Sequence, residues 1–233
     1  MSNPWVKFEA GMARKKKLAS LLWPRYSSLA DMINYNAKVH RWIKTYGKKV
    51  PTFSDRASLF KYLSEDLIGN TAVDYLEFGV AKGWSMRQWV ALNPHADSRF
   101  FGFDSFAGLP ERWNTTFGPG AFDVGGIIPS IEDPRVRFIN GWFNDTLPGF
   151  LLEYRPQNRL VINNDSDLYS STLYTLTMLD EHIRTGTIIL FDEFSSPLHE
   201  FRALEDYLSA YKRQVRPLAT RGSYAETVAL EFL

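Results

Sequence analysis

From Val73 to the end of the chain, short apolar runs alternate with longer amphipathic stretches. The runs are Val73-Asp74-Tyr75-Leu76-Glu77-Phe78, then residues 100–103, 136–139, 160–163 and 187–191, all rich in β-branched or aromatic side chains. Near-continuous apolar runs of this length suit strands covered on both faces, as in a parallel sheet. Residues 85–92, 145–154, 171–184 and 198–212 lie between or after the runs and read as helices. Strand–helix alternation implies βαβ units with right-handed crossovers, and hence a doubly wound α/β sheet. The tail differs. Residues 215–219 and 227–232 are two strand-like runs separated by a segment containing Arg221-Gly222-Ser223, so an antiparallel hairpin is expected to close the sheet.

Residues 1–70 read as a helical N-terminal extension ahead of an α/β domain over 71–233. In 31–46, Ile33, Val39, Trp42 and Ile43 recur at helical spacing. In 54–67, Ser54 is the expected N-cap, and Gly69 stands where a helix would end. Residues 113–129 have no periodicity, and Gly118, Pro119, Gly120, Gly125 and Gly126 mark them as a mobile loop and candidate lid.

Composition narrows the class. A chain of 233 residues, 45% apolar, holds enough material for one α/β domain with a real core and is not a disordered tail. With no cysteine, disulfides, iron–sulfur clusters and thiolate zinc sites are excluded. No run approaches the roughly 18 apolar residues of a membrane span. The basic run 13–17 precedes an apolar stretch, 18–23, too short for a secretory signal and interrupted by Pro24. A cytoplasmic protein without a membrane partner is expected. The net charge is +1, yet residues 1–50 carry 11 Lys/Arg against 2 Asp/Glu and residues 51–233 carry 16 against 24. The basic helices are expected to dock on the acidic body or on another subunit, as a homo-oligomer. The near-neutral whole argues against nucleic acid as a partner.

In an open parallel sheet, ligands bind beyond the C-terminal strand ends. The first strand ends in Glu77-Phe78-Gly79-Val80-Ala81-Lys82-Gly83-Trp84-Ser85. A pyrophosphate-binding turn needs Gly-x-Gly-x-x-Gly, and Ala81 and Trp84 break that pattern; no Gly-Lys-Ser/Thr occurs either. A glutamate before a Gly-x-x-x-Gly turn suits a cationic nucleoside such as S-adenosylmethionine, the alternative being an ordinary βα turn. Asp104-Ser105 ends the second strand, 25 residues past Gly79, placed either to accept ribose hydroxyls or to cap the next segment. Gly141-Trp142-Phe143 follows the third strand and is either an adenine-stacking pair or a core aromatic pair.

The fourth and fifth strands end in Asp165-Ser166-Asp167 and Asp192-Glu193. Crowded carboxylates repel one another unless a cation or proton intervenes. Asp165, Asp192 and Glu193 are therefore candidate ligands of Mg²⁺, which would hold and acidify an acceptor hydroxyl. The alternative gives Asp167 the task of capping a helix and leaves Asp192 and Glu193 solvated. His199 is a candidate general base or a surface histidine in a first helical turn.

Four phrases, in order, carry a family resemblance. They are Leu76-Glu77-Phe78-Gly79-Val80 with Gly83 and Ser85; Asp104-Ser105-Phe106-Ala107-Gly108-Leu109-Pro110; Gly141-Trp142-Phe143-Asn144-Asp145-Thr146-Leu147-Pro148; and Asp165-Ser166-Asp167-Leu168-Tyr169-Ser170-Ser171-Thr172, followed by Asp192-Glu193. Residues 70–233 resemble the macrocin O-methyltransferase family of class I S-adenosylmethionine-dependent methyltransferases. The resemblance implies a Rossmann-like, mostly parallel seven-stranded sheet. It implies Mg²⁺-assisted methyl transfer to a hydroxyl of a small-molecule acceptor, typically a sugar of a natural product. It places Glu77 and Asp104 at the cofactor and Asp165, Asp192 and Glu193 at the metal. Two departures stand out: Glu193 replaces a usual aspartate, and Trp84 replaces a common glycine. The first 70 residues carry no such resemblance. A silent cofactor-binding relic and a nicotinamide oxidoreductase are the competing readings.

Overall fold

A computed structural model describes residues 27–47 and 49–233, and the basic run 13–17 and the stretch to Pro24 lie outside the described residues. The described elements run α1 (Ser27–Trp42), β1 (Thr52–Phe53), α2 (Arg56–Tyr62), β2 (Val73–Phe78), α3 (Trp84–Leu92), β3 (Arg99–Asp104), β4 (Val136–Asn140), α4 (Phe143–Glu153), β5 (Arg159–Asn164), α5 (Tyr169–Leu179), β6 (Ile188–Phe191), α6 (Glu200–Tyr211), β7 (Val215–Arg221) and β8 (Thr227–Phe232). Short π-helical turns, Ile43–Gly47 and Leu63–Ile68, extend α1 and α2.

The strands form one sheet in the order β1-β7-β8-β6-β5-β2-β3-β4. Only β8 runs against its neighbours, pairing antiparallel with both β6 and β7. The expected doubly wound sheet and closing hairpin are therefore present. An eighth strand is added at the edge, because Thr52 and Phe53 pair parallel with Thr220 and Arg221. The N-terminal segment, expected to be wholly helical, thus contributes a strand.

Alternation along each buried strand sends side chains to two cores. Leu76 and Phe78 join Phe103, Ile162 and Phe191 in the core that takes in Leu147 of α4, Leu176 of α5 and Leu204 of α6. Tyr35 and Val39 of α1 enter the same cluster. Val73 and Tyr75 point the other way, to Phe100, Leu190, Leu59 and Phe60 of α2, and Met86 and Trp89 of α3.

Several boundaries differ from the pattern for physical reasons. Asp55, not Ser54, caps α2: its side chain accepts the Ser58 N–H at 2.9 Å, while the Ser54 hydroxyl donates to Asp55. Gly69, with φ of 65°, ends the following turn as expected. The helix expected over 171–184 begins at Tyr169 and stops at Leu179. Asp167 adopts φ of 60° and does not cap it; Leu168 is the N-cap residue. No described helix is long and apolar enough to cross a membrane.

Candidate active site

The strand order reverses between β2 and β5, so their ends open a crevice. Phe78 pairs with Asn164, and the Asp165 N–H donates to the Phe78 carbonyl at 2.9 Å. Gly79 turns away with φ of 92°, and a Cβ there would run into the Asp165 carbonyl oxygen. Glycine is required at that position because two chain reversals pass at backbone contact.

A cavity of about 1030 Å³ opens at this edge. Of the residues expected in a site, Glu77, Gly79, Val80, Ser85, Asp104, Ser105, Trp142, Asp165, Asp192 and Glu193 line it. Gly83 and Gly141 are not on its wall; with φ of 73° and 142°, they shape the turns into α3 and α4. His199 is not on the wall either. Its ring meets Trp113 edge-on at 6.5 Å, and Trp113 is what faces the cavity. Burial lowers the His199 pKa, favouring a neutral ring.

Glu77 is 1% exposed, and the Tyr75 hydroxyl donates to its Oε2 at 3.0 Å. Burial pushes its carboxyl well above the ordinary range; the Tyr75 hydrogen bond opposes this and the charge of Asp165 adds to it. Asp104 takes a double role. Its Oδ2 accepts the N–H groups of Val80 and Ala81 at 2.8 and 2.7 Å, and its Oδ1 accepts the Phe106 N–H at 2.7 Å. The backbone donors that cradle a pyrophosphate in a dinucleotide fold are thus occupied by a carboxylate. The geometry agrees with the broken glycine pattern in disfavouring a nicotinamide dinucleotide.

The loop 113–129 has no helix or strand, but it is laced by backbone bonds: Leu109 N–H to Ala121 O, Gly120 N–H to Leu109 O, and Gly126 N–H to Phe106 O, each at 2.9 Å. Trp113, Phe117 and Phe122 pack together, and Trp113 and Phe122 form part of the cavity wall.

At the tips of β5 and β6 lies a feature the sequence reading missed. Arg56 donates from Nη1 to Asp165 Oδ2 at 3.1 Å and from Nη2 to Asp192 Oδ2. The other oxygen of Asp192, Oδ1, accepts the Thr227 hydroxyl at 2.9 Å. A hard cation needs several oxygens converging with free lone pairs. Among the described residues, no group of three acidic or histidine side chains converges in that way. The expected magnesium ligands Asp165, Asp192 and Glu193 therefore do not fit the ion as arranged, because a guanidinium already joins two of them.

Two further acids complete the picture. Asp167, on the cavity wall, is pushed up to about 7 by burial and by the charges of Glu193 and Asp192. Glu200, fully buried, accepts from Asn164 Nδ2 and from the Glu193 N–H, both at 2.9 Å, tying the tips of β5 and β6 to α6. Neither is distinguishable in sequence from a helix-flanking acid.

Residues 129–219 match the macrocin-O-methyltransferase (TylF) family. The match runs from ahead of β4 into β7 and includes Asp165 and Asp192. Over 157 residues the chain is 32% identical to the 8-demethyl-8-(2,3-dimethoxy-alpha-L-rhamnosyl)-tetracenomycin-C 4'-O-methyltransferase of Streptomyces olivaceus, covering 55% of this chain and 58% of that protein. The chain thus spans little more than half of that curated relative. Among solved structures, the O-methyltransferase NovP is similar with a TM-score of 0.58 and 23% identity, over 76% of this chain and 78% of the other. An O-methyltransferase from Bacillus cereus, solved in complex with SAH, gives a TM-score of 0.52 at 16% identity, over 95% and 97%. The likeness to these structures shows a Rossmann-like α/β fold, and the macrocin-O-methyltransferase match lies within it.

Proposed function

We propose that the protein is an S-adenosylmethionine-dependent O-methyltransferase whose acceptor is a hydroxyl of a small molecule of the sugar or natural-product class. The observation that carries this reading is the meeting of Glu77 and Asp104 with the Asp165 and Asp192 tips around one cavity at the switch point. The family match supports it, as does the relative named for a rhamnosyl tetracenomycin.

The residues fit the cofactor by charge and shape. Glu77 offers a buried carboxylate to a cation, and Gly79 leaves its backbone open where a Cβ would collide. Asp104 holds the Val80–Ala81 turn and keeps lone pairs for ribose hydroxyls, since Oδ1 accepts a single bond from the protein. Ser85, buried at the start of α3, and Ser105 add hydroxyls to the same wall. Gly83 and Gly141 set the turns, and Trp142 presents an indole face for a base. Asp165 lines the same cavity.

S-adenosylmethionine, when bound, supplies the methyl group and its sulfur leaving group: the oxygen–methyl bond forms as the carbon–sulfur bond breaks, and that bonding pair goes to sulfur. The chain's tasks are alignment of the acceptor, exclusion of water and acceptance of the hydroxyl proton at the acidic wall or by water. Trp113 and Phe122 supply an apolar side to the cavity that favours desolvation.

Calorimetry against S-adenosylhomocysteine and NAD tests the reading, followed by methyl transfer to a panel of hydroxylated sugars and glycosides. Binding of the first ligand alone, with turnover on the panel, is the expected result. NAD binding without S-adenosylhomocysteine binding overturns it, and cofactor binding without transfer to any acceptor favours the relic.

A further inference from the structure

Two carboxylates at neighbouring strand tips need a countercharge or a proton. Here the chain itself provides one. Arg56 projects a planar fork, one arm reaching Asp165 and the other Asp192, so that one guanidinium joins both carboxylates through separate N–H groups. Its side chain is 29% exposed and lies on the cavity wall, so the cation faces the space where an acceptor would sit.

The placement is built into the fold. Thr52 and Phe53 are locked to β7, with Thr220 N–H donating to Pro51 O and Gly222 N–H to Phe53 O, both at 2.9 Å. The hydroxyls of Thr52 and Thr220 lie 3.0 Å apart. Asp55 then caps α2, so Arg56 is its first residue, while Leu59 and Phe60 anchor the next turn in the core. The guanidinium lies 5.9 Å from the Trp84 ring centroid, and Trp84 in turn packs on Phe60. The extra edge strand, the cap and the indole all act on where that guanidinium stands.

Resting on the methyltransferase reading above, we propose that Arg56 takes the place of a divalent cation: it neutralises and holds Asp165 and Asp192 on the cavity wall and makes the site independent of metal. Arg56 is a positioning residue, since it orients the two aspartates and does not exchange a proton in the reaction. A second cation is opposed by repulsion from the guanidinium and by the bonds that Asp165 Oδ2 and both oxygens of Asp192 already accept.

The test uses the full chain and Mn²⁺ as probe. Wild-type protein, with and without S-adenosylhomocysteine, should show no saturable Mn²⁺ site by paramagnetic resonance, and its methyl transfer should be equal in EDTA and in Mg²⁺. Arg56→Ala should keep its S-adenosylhomocysteine affinity within a few fold, gain a Mn²⁺ site, and lose roughly 100-fold in kcat in EDTA with the KM for S-adenosylmethionine little changed. Mg²⁺ should then restore part of that loss, a dependence that a merely structural role would not create. Arg56→Gln, which keeps length and hydrogen bonds without the charge, serves if the alanine variant does not fold. A stoichiometric Mn²⁺ site in wild type, or inactivation of wild type by EDTA, overturns the proposal; so does an uncharged variant with full turnover in EDTA. Failure of wild type to bind S-adenosylhomocysteine counts against the methyltransferase reading, whereas the Mn²⁺ result bears on Arg56 alone.

Discussion

Asp104 holds Val80: the carboxylate at the tip of β3 accepts the Val80 N–H at 2.8 Å and so fixes the glycine turn that follows β2. One side chain serves both the shape of the cofactor cradle and its ligand chemistry. Asp104→Ala should weaken S-adenosylhomocysteine binding by about 1–3 kcal/mol through lost charged hydrogen bonds. It should also lower the melting temperature, because the Val80, Ala81 and Phe106 N–H groups lose their acceptor. Calorimetry and thermal unfolding read the two effects separately; a variant with wild-type affinity would remove Asp104 from the site.

Glu77 links binding to protons. Burial raises its pKa in the free protein, and a cationic ligand in the cavity would lower it, so binding should release a proton. Affinity for S-adenosylmethionine should therefore increase as pH rises toward the raised value. Calorimetry in buffers of different ionisation enthalpy checks the sign: proton uptake, or none, contradicts the assignment. Glu77→Gln should abolish the linkage.

Trp142, the N-cap residue of α4, is exposed and adds little to the core. Trp142→Ala should reduce S-adenosylhomocysteine affinity by about 0.5–1.5 kcal/mol with the melting temperature almost unchanged. An unchanged affinity would remove the indole from the adenine site.

Asp74 lies at the opposite end of β2 and tests the fold without touching the site. It is fully buried and accepts from Arg99 Nε at 2.9 Å, Tyr154 OH at 3.1 Å, the Gln157 N–H at 2.9 Å and Asn158 Nδ2 at 3.0 Å. Burial would raise its pKa, but these donors, Arg99 first, outweigh it and hold the carboxyl below the usual range. A depressed folded-state pKa gives stability that is fully present above the unfolded value near pH 4 and is lost as pH falls through the folded one. Asp74→Asn should cost about 2–3 kcal/mol at pH 7, a figure reduced because Arg99 keeps partial access to water. The gap between wild type and variant should close as the pH drops below 4, and a gap independent of pH would contradict the linkage.

Periodicity alone determined most of the architecture. The runs that begin at Val73 and Thr227 match β2 and β8 residue for residue, because strands buried on both faces are mostly apolar, and the acids within them, Asp74, Glu77 and Glu231, are hydrogen-bonded. Glu77, Asp104, Asp165 and Asp192 were legible as neighbours around one cavity because parallel strands place their C-terminal ends on one edge, whatever the details of packing. Gly79 was legible for a similar local reason: a sharp turn after a strand demands a residue without Cβ.

Tertiary structure decided what those acids face. Asp165 and Asp192 read as ligands awaiting an ion, yet their partner is Arg56, 109 and 136 positions away in the chain. Nothing local to Arg56 sets it apart from the other lysines and arginines, and its role arises only when β1 adds to the sheet edge and α2 starts beside the strand tips. His199 shows the reverse: a suggestive position beyond β6, but a ring turned to Trp113. Local pattern fixes backbone conformation through sterics and burial, whereas the identity of a charge's partner depends on distances set by the whole folded chain.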